Sequence, residues 1–330
     1  MTRQFIWQLP TGGDGRYGVA ETGRRGERTS VDSPFNAGVT DPRGTRFNYF
    51  DYLHQVARAA DLAGFDGLQI RQEPDGDDAW IVAGYVARGT RHLTLLTEFD
   101  AAWGSPVYAA KNTVSFQRAS NGRFAWQLGP GLDAATRARN ADPVAEADIL
   151  ARIEEFVLVA RGVQTSAPYS FKGRFFEVEN GGFRGPLAGN PRPPIYLTGS
   201  TDDAWRLSAR VADVHILDAA PLERLRPSIE RLHALAAEQG RALKLALRID
   251  LVAREDEAEA RRDAARQSLA PGALVGSYSQ LEQQLFDYAQ AGIDTFIFGA
   301  APHLEEAYRV GEHLLPGLRA RLRQDALQAA

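Results

Sequence analysis

The sequence predicts an α/β fold, a (β/α)8 (TIM) barrel with loop insertions, and three observations carry that expectation. Short apolar runs alternate with amphipathic helical stretches along most of the 330 residues. Eight such runs occur, enough for a closed parallel sheet joined by right-handed crossovers. No glycine-rich dinucleotide fingerprint follows the first run, as an open doubly wound sheet would favour. Barrels routinely exceed 250 residues as one unit, so residues 1–330 are read as a single domain.

The elements follow in order. Phe5 to Leu9 is the first strand. Tyr49 to Ala63 places Phe50, Leu53, Val56, Ala57, Ala60 and Leu62 near helical spacing and stops at Gly64. DGLQI (66–70) is the second strand, with a helix over about 78–88. HLTLLTEF (92–99) is the third, and Pro106 opens a helix that runs to about Ala119. Asn121-Gly122 turns the chain into RFAWQLG (123–129), the fourth. Regularity breaks over 131–193. That stretch holds one helix (145–161), a hairpin around FKGRFFEVE and a Gly/Pro-rich run ending in NPRPP. It reads as an excursion from the barrel, because the strand–helix beat then resumes. PIYLTG (194–199), DVHIL (213–217), LKLALRIDLVA (243–253) and DTFIFG (294–299) complete the eight strands. Helices are expected from Asp203, over 222–239, over 256–268, over 279–292 and from His303.

Composition narrows the chemistry. The chain has no cysteine, which excludes disulfides, thiolate metal sites, iron–sulfur clusters and a cysteine nucleophile. Its six histidines show no HExxH-like spacing, so no metal is expected. A formal charge of −4 argues against nucleic acid or a membrane surface as a partner. No run of 18 apolar residues is present, and the opening MTRQFIWQLP lacks a signal-peptide pattern, so a cytoplasmic protein is expected. Residues 11–46 form a long polar loop at the carboxyl end of the first strand. Loops of this length in compact domains are usually functional or disordered.

Several segments are recognisable. FIWQLPTGGDGRY at the start, DDAWIVAGYV (77–86), SNGRFAWQL (120–128), PPIYLTGSTDDA (193–204), LRIDLVARE (247–255) and GIDTFIFGAAPHLEEAYRVGEHLLP (292–316) resemble the alkanesulfonate monooxygenases. These enzymes belong to the bacterial luciferase-like flavin-dependent monooxygenases. The segments recur in family order over nearly the whole chain, and the closing one is the most specific. The resemblance implies a luciferase-type barrel that assembles as a homodimer or homotetramer. It further implies reduced FMN delivered by a flavin reductase, O2, and a small organic substrate.

By the same resemblance Thr198, Gly199, Ser200 and Thr201 hold the FMN phosphate at a helix N-terminus, although an ordinary helix cap explains Ser and Thr there equally. Gln69, Glu98 and Gln127, at the ends of the second to fourth strands, line the flavin ring or its ribityl chain, or are polar strand ends facing solvent. Trp103, beside Gly104 in a strand-to-helix loop, is a substrate contact. Arg248 keeps the arginine of the family's Arg-x-His pair and would position substrate or stabilise the peroxide anion. His303 and Pro302 are retained, His303 as a proton-transfer residue or a helix cap.

The departures concern the substrate end. Asp250 stands where the family has His, Asp218 where it has Trp, and Ala301 where it has the active-site Tyr. Gly12 and Gly76 replace a His and a Cys. Residues two apart on a strand share a face, so Arg248 and Asp250 are expected to pair and weaken the pocket for an anion. A sulfonate is therefore doubtful. A neutral or cationic substrate recognised or deprotonated by Asp218 or Asp250 is expected instead, or else Asp250 merely fixes Arg248. The family's arginine-bearing mobile loop has only a short counterpart over 256–276. Residues 11–46, with Arg24, Arg25 or Arg28, are the expected replacement lid, or else a disordered surface loop or a dimer arm. A deazaflavin-dependent oxidoreductase and a non-catalytic flavin-binding protein remain as alternatives.

Overall fold

The computed structural model describes residues 3–14, 49–74, 76–102, 104–129 and 133–328. The candidate lid beyond Asp14 and the substrate contact Trp103 lie outside the described residues. The strands are β1 (Gln4–Leu9), β2 (Gly67–Ile70), β3 (Thr94–Glu98), β4 (Phe124–Leu128), β5 (Tyr169–Lys172), β6 (Glu177–Gly181), β7 (Ile195–Thr198), β8 (Val214–Asp218), β9 (Lys244–Arg254), β10 (Leu274–Ser277) and β11 (Thr295–Gly299). Nine of them lie in the order β10-β9-β11-β1-β2-β3-β4-β7-β8, and β8 pairs back to β9. Eight parallel strands thus close into a barrel, with β10 added beside β9. The surrounding helices are α1 (Tyr49–Leu62), α2 (Ala79–Ala87), α3 (Pro106–Ser120), α4 (Ala134–Arg139), α5 (Ile149–Thr165), α6 (Asp202–Val211), α7 (Leu222–Glu238), α8 (Glu257–Ala264), α9 (Tyr278–Gln290), α10 (His303–His313) and α11 (Leu315–Gln328). Among the described residues no helix is long and apolar enough to cross a membrane.

The chain divides into two compact units. The first comprises residues 1–93, 218–222 and 248–330. Its strands β11, β1 and β2 run in parallel register, Phe5 opposite Phe296, Trp7 opposite Phe298 and Gln8 opposite Gln69. Alternation sends Phe5 and Trp7 to the helix side of the sheet, and Ile6 and Gln8 to the inner face. Phe5, Phe296 and Phe298 stack at 5.8–6.0 Å between centroids. Full burial of each contributes roughly 1.5–3 kcal/mol. The α1 stripe of Tyr49, Tyr52, Leu53, Val56 and Ala60 is buried, and Gly64 at φ 82° ends that helix where a side chain would be strained.

The second unit comprises residues 94–217 and 223–247. In it β3 and β4 pair with Glu98 opposite Gln127, and β4 and β7 with Gln127 opposite Tyr196. On the helix side Trp126 is buried, donates to Thr113 Oγ1 at 2.7 Å and meets Phe99 edge-on at 5.1 Å. Ser105 caps α3 ahead of Pro106, and Asn121 ends it in the left-handed region. The excursion holds α4, a 3₁₀ turn over Glu146–Asp148, α5 and the antiparallel β5–β6 hairpin. Sequence periodicity places the helix start at 145. The chain tightens into the 3₁₀ turn first, and α5 begins at Ile149.

Candidate active site

In the first unit the carboxyl ends of β9, β11, β1 and β2 stand side by side. Five of the sequence candidates gather here, namely Gln69, Asp218, Arg248, Asp250 and His303. The guanidinium of Arg248 does not pair with Asp250, as its position two residues away suggests. It forks onto Asp218 Oδ1, the Nε at 3.0 Å and the second nitrogen at 2.5 Å. The backbone explains the choice, because Ala219 N–H bonds to the Arg248 carbonyl at 3.0 Å and brings the end of β8 alongside. Asp218 is 76% exposed and Arg248 24%. Arg71, just past β2, lies 3.4 Å from Glu73. Asp250 is half-buried and makes no hydrogen bond or ion pair among the described residues. Among the described residues carboxylates therefore outnumber guanidinium groups at this end.

Asp14 is the residue that sequence reasoning missed. Its side chain is wholly buried and accepts three hydrogen bonds, from Tyr52 Oη, from the His303 backbone N–H at 2.9 Å and from His303 Nδ1 at 2.9 Å. Burial alone would raise its pKa. The bonds from His303 and Tyr52 outweigh that, and Asp14 is held below the ordinary carboxylate value. An ionised Asp14 only accepts, so Nδ1 of His303 carries a proton toward it and the ring turns Nε2 away from Asp14. The His303 ring also meets Trp7 edge-on at 6.3 Å. The available signal was the Asp-Gly pair inside an otherwise glycine-rich turn.

Gln8, also unassigned from sequence, lies beside Asp250. A Cβ placed on Gly299 would sit 2.6 Å from Asp250 Oδ1 and 2.9 Å from Gln8 Nε2. Gln8 is 8% exposed, and its Nε2 is buried without a partner among the described residues.

In the second unit Glu98 and Gln127 are register partners on the inner face, half-buried and buried respectively. Thr198 ends β7. Gly199 follows at φ 133°, Ser200 is exposed, and Thr201 caps α6 by accepting from Ala204 N at 3.2 Å. Trp205 Nε1 takes the Gly199 carbonyl at 3.0 Å. The cap reading of Thr201 is thus realised, while the Ser200 hydroxyl and the other first-turn N–H groups stay available to an anion. Asp202 in the first turn would oppose one, but Arg231 and Arg206 bind it at 3.0 and 2.7 Å. Their hydrogen bonds hold its carboxyl below the usual range. The turn fits a phosphate.

The family model described as luciferase-like monooxygenase matches residues 27–311. The chain belongs to that family. Among solved structures, the EDTA monooxygenase (EmoA) from Chelativorans sp. BNC1 is 16% identical to this luciferase-like chain. The match covers 97% of this chain and 94% of that one, with a TM-score of 0.75. Long-chain alkane monooxygenase (LadA) is 14% identical, over 97% and 92% of the two chains, also at 0.75. An F420-dependent secondary alcohol dehydrogenase is 16% identical, over 96% and 99%, at 0.72. These likenesses concern the fold; the family itself is one of flavin-dependent oxidoreductases.

Proposed function

We propose that this luciferase-like chain is a reduced-FMN- and O2-dependent monooxygenase, supplied by a flavin reductase, acting on a small neutral or cationic organic molecule. The observation that carries the substrate class is the Arg248–Asp218 fork, with Asp250 on the same strand two residues on. Anion recognition needs unopposed, preferably bidentate donors. Here Arg248 already holds a carboxylate, and Asp250 adds a second negative group. The phosphate-fitting turn at Gly199–Thr201 and the inner-face pair Glu98 and Gln127 support a flavin with a phosphorylated side chain.

Bound reduced flavin supplies the electrons that activate O2. The chain's own residues would do the rest. Ser200 and the α6 N–H groups would hold the phosphate, and Glu98 and Gln127 would meet the polar parts of the cofactor. Asp250 would accept from the substrate. His303, its Nδ1 held by Asp14, would take or return a proton at Nε2.

The test supplies purified protein with reduced FMN, O2 and matched sulfonate, neutral and cationic substrates. Neutral or cationic compounds should be oxygenated with kcat/KM at least about tenfold above the sulfonates, a margin equal to one charge-assisted contact. Preference for sulfonates would overturn the substrate class. The F420-dependent likeness gives the other outcome: tight deazaflavin binding with no O2 consumption would make the chain a hydride-transfer enzyme.

A further inference from the structure

We propose that Gln8 and Asp250 form a two-point subsite, framed by Gly299, for the N–H/C=O edge of a carboxamide, lactam or ureide; this rests on reading this end as the substrate end. Three neighbouring strands meet there, β9 with Asp250, β11 with Gly299 and β1 with Gln8. Gln8 is more than nine-tenths buried, yet its Nε2 has no acceptor among the described residues. Buried donors in folded proteins are nearly always satisfied, so a donor left open on the inner face marks a place for a ligand atom. Asp250 supplies the opposite character, because an ionised carboxylate only accepts. The two atoms lie within 2.9 Å of a single point, the position a Cβ on residue 299 would take. Glycine lets both side chains close on the backbone there, where a Cβ would crowd them apart. The carboxylate also fixes the orientation of the amide, since turning Gln8 Oε1 inward would set two acceptors face to face.

A group that satisfies both atoms must offer one acceptor and one donor side by side. The edge of a lactam, a ureide or a primary carboxamide does so, whereas a trans secondary amide points the two groups opposite ways. A sulfonate offers acceptors alone and would meet the charge of Asp250. An ester lacks the donor, and an amine lacks the acceptor. Rejection of analogues that leave a buried polar group unmatched is the strongest discrimination such sites achieve. The subsite therefore narrows the substrate from neutral or cationic molecules to those carrying an unsubstituted N–H beside a carbonyl.

The experiment measures binding by calorimetry or ligand-observed NMR on the full chain, with neither flavin nor O2 added. The probes are δ-valerolactam and its N-methyl derivative. The parent chain should bind the lactam and lose about tenfold or more in affinity on N-methylation. Gly299→Ala, whose methyl would displace both polar atoms, and Gln8→Glu, which replaces the donor with an acceptor, should each weaken the lactam at least as much. Gln8→Glu keeps the size of the side chain and so guards against a folding artefact in the glycine variant. Equal affinity for the two probes, undiminished binding in both variants, or no lactam binding by the parent would overturn the subsite. Lactam binding without oxygenation in the reduced-FMN assay would overturn the monooxygenase reading and leave the subsite standing. Oxygenation of other compounds with lactams unbound would do the reverse.

Discussion

With none of its side chain exposed, Asp14 relies on Tyr52 and His303 to stay ionised. Because its folded pKa lies below the ordinary value, it contributes stability that is present above the ordinary carboxylate range and is lost as pH falls through the lowered value. Asp14→Asn should therefore lower stability by about 1–3 kcal/mol at neutral pH and flatten the acid limb of the stability profile. Urea unfolding at several pH values measures both, and an unchanged acid limb would reject the role. Asp218→Asn tests the other pair. It should cost little stability, since exposed ion pairs contribute about 0–1 kcal/mol, yet free Arg248 and raise affinity for sulfonates several-fold in direct titration. Arg248, Asp250 and His303 were picked out from the sequence because short motifs bracket them, but the pairing of Arg248 with Asp218 was not. The bond between Asp14 and His303 spans 289 positions, and no local pattern records a contact of that range. Gln8 left a trace, as the lone polar residue inside FIWQL, but one polar residue in a strand does not say whether it is satisfied.

Among the elements, β9 runs eleven residues and ends in Arg254, which is 2% exposed. Arg254 binds Asp263 at 2.6 Å, just before the end of α8, and Glu306 of α10 at 3.0 Å. Burial pushes the Glu306 carboxyl up, and Arg254 and Arg309 pull against that. Arg254→Met should cost roughly 3–5 kcal/mol by leaving Glu306 buried without its charge partner, while adding Glu306→Leu should recover much of the loss. Thermal unfolding of the single and double variants decides this, and additive losses would count against it. At α6, Thr201→Ala should cost about 1 kcal/mol through the lost cap, whether or not a phosphate binds beside it. Sequence periodicity found the barrel strands because buried parallel strands are continuous apolar runs. It passed over β10, LVGS, which is four residues long and half-buried, and α11, whose apolar positions form a weak stripe.

At the scale of the molecule, stability is expected to be uneven. Strands β1, β4 and β11 are almost wholly buried, whereas β5 and β6 alternate half-buried with exposed residues and pair only with each other. Native-state hydrogen exchange should open the hairpin amides well before those of the barrel strands; equal protection would show that the hairpin shares the cooperative core. The barrel itself was legible because its signal repeats eight times, so an error at one end of one helix does not disturb the count. The chemistry of the site was only partly legible, because it depends on which strand ends the closure brings side by side.

The anchoring of β9 has a use for engineering. Its far end is locked by a buried arginine, while positions 248 and 250 lie four residues or more upstream on the inner face. Residues at those two positions can be exchanged in combinatorial libraries with the strand's register held from beyond them. Selection on such libraries would then report recognition and not recovery of the fold, making this strand a natural place to redirect the catalyst toward new feedstocks.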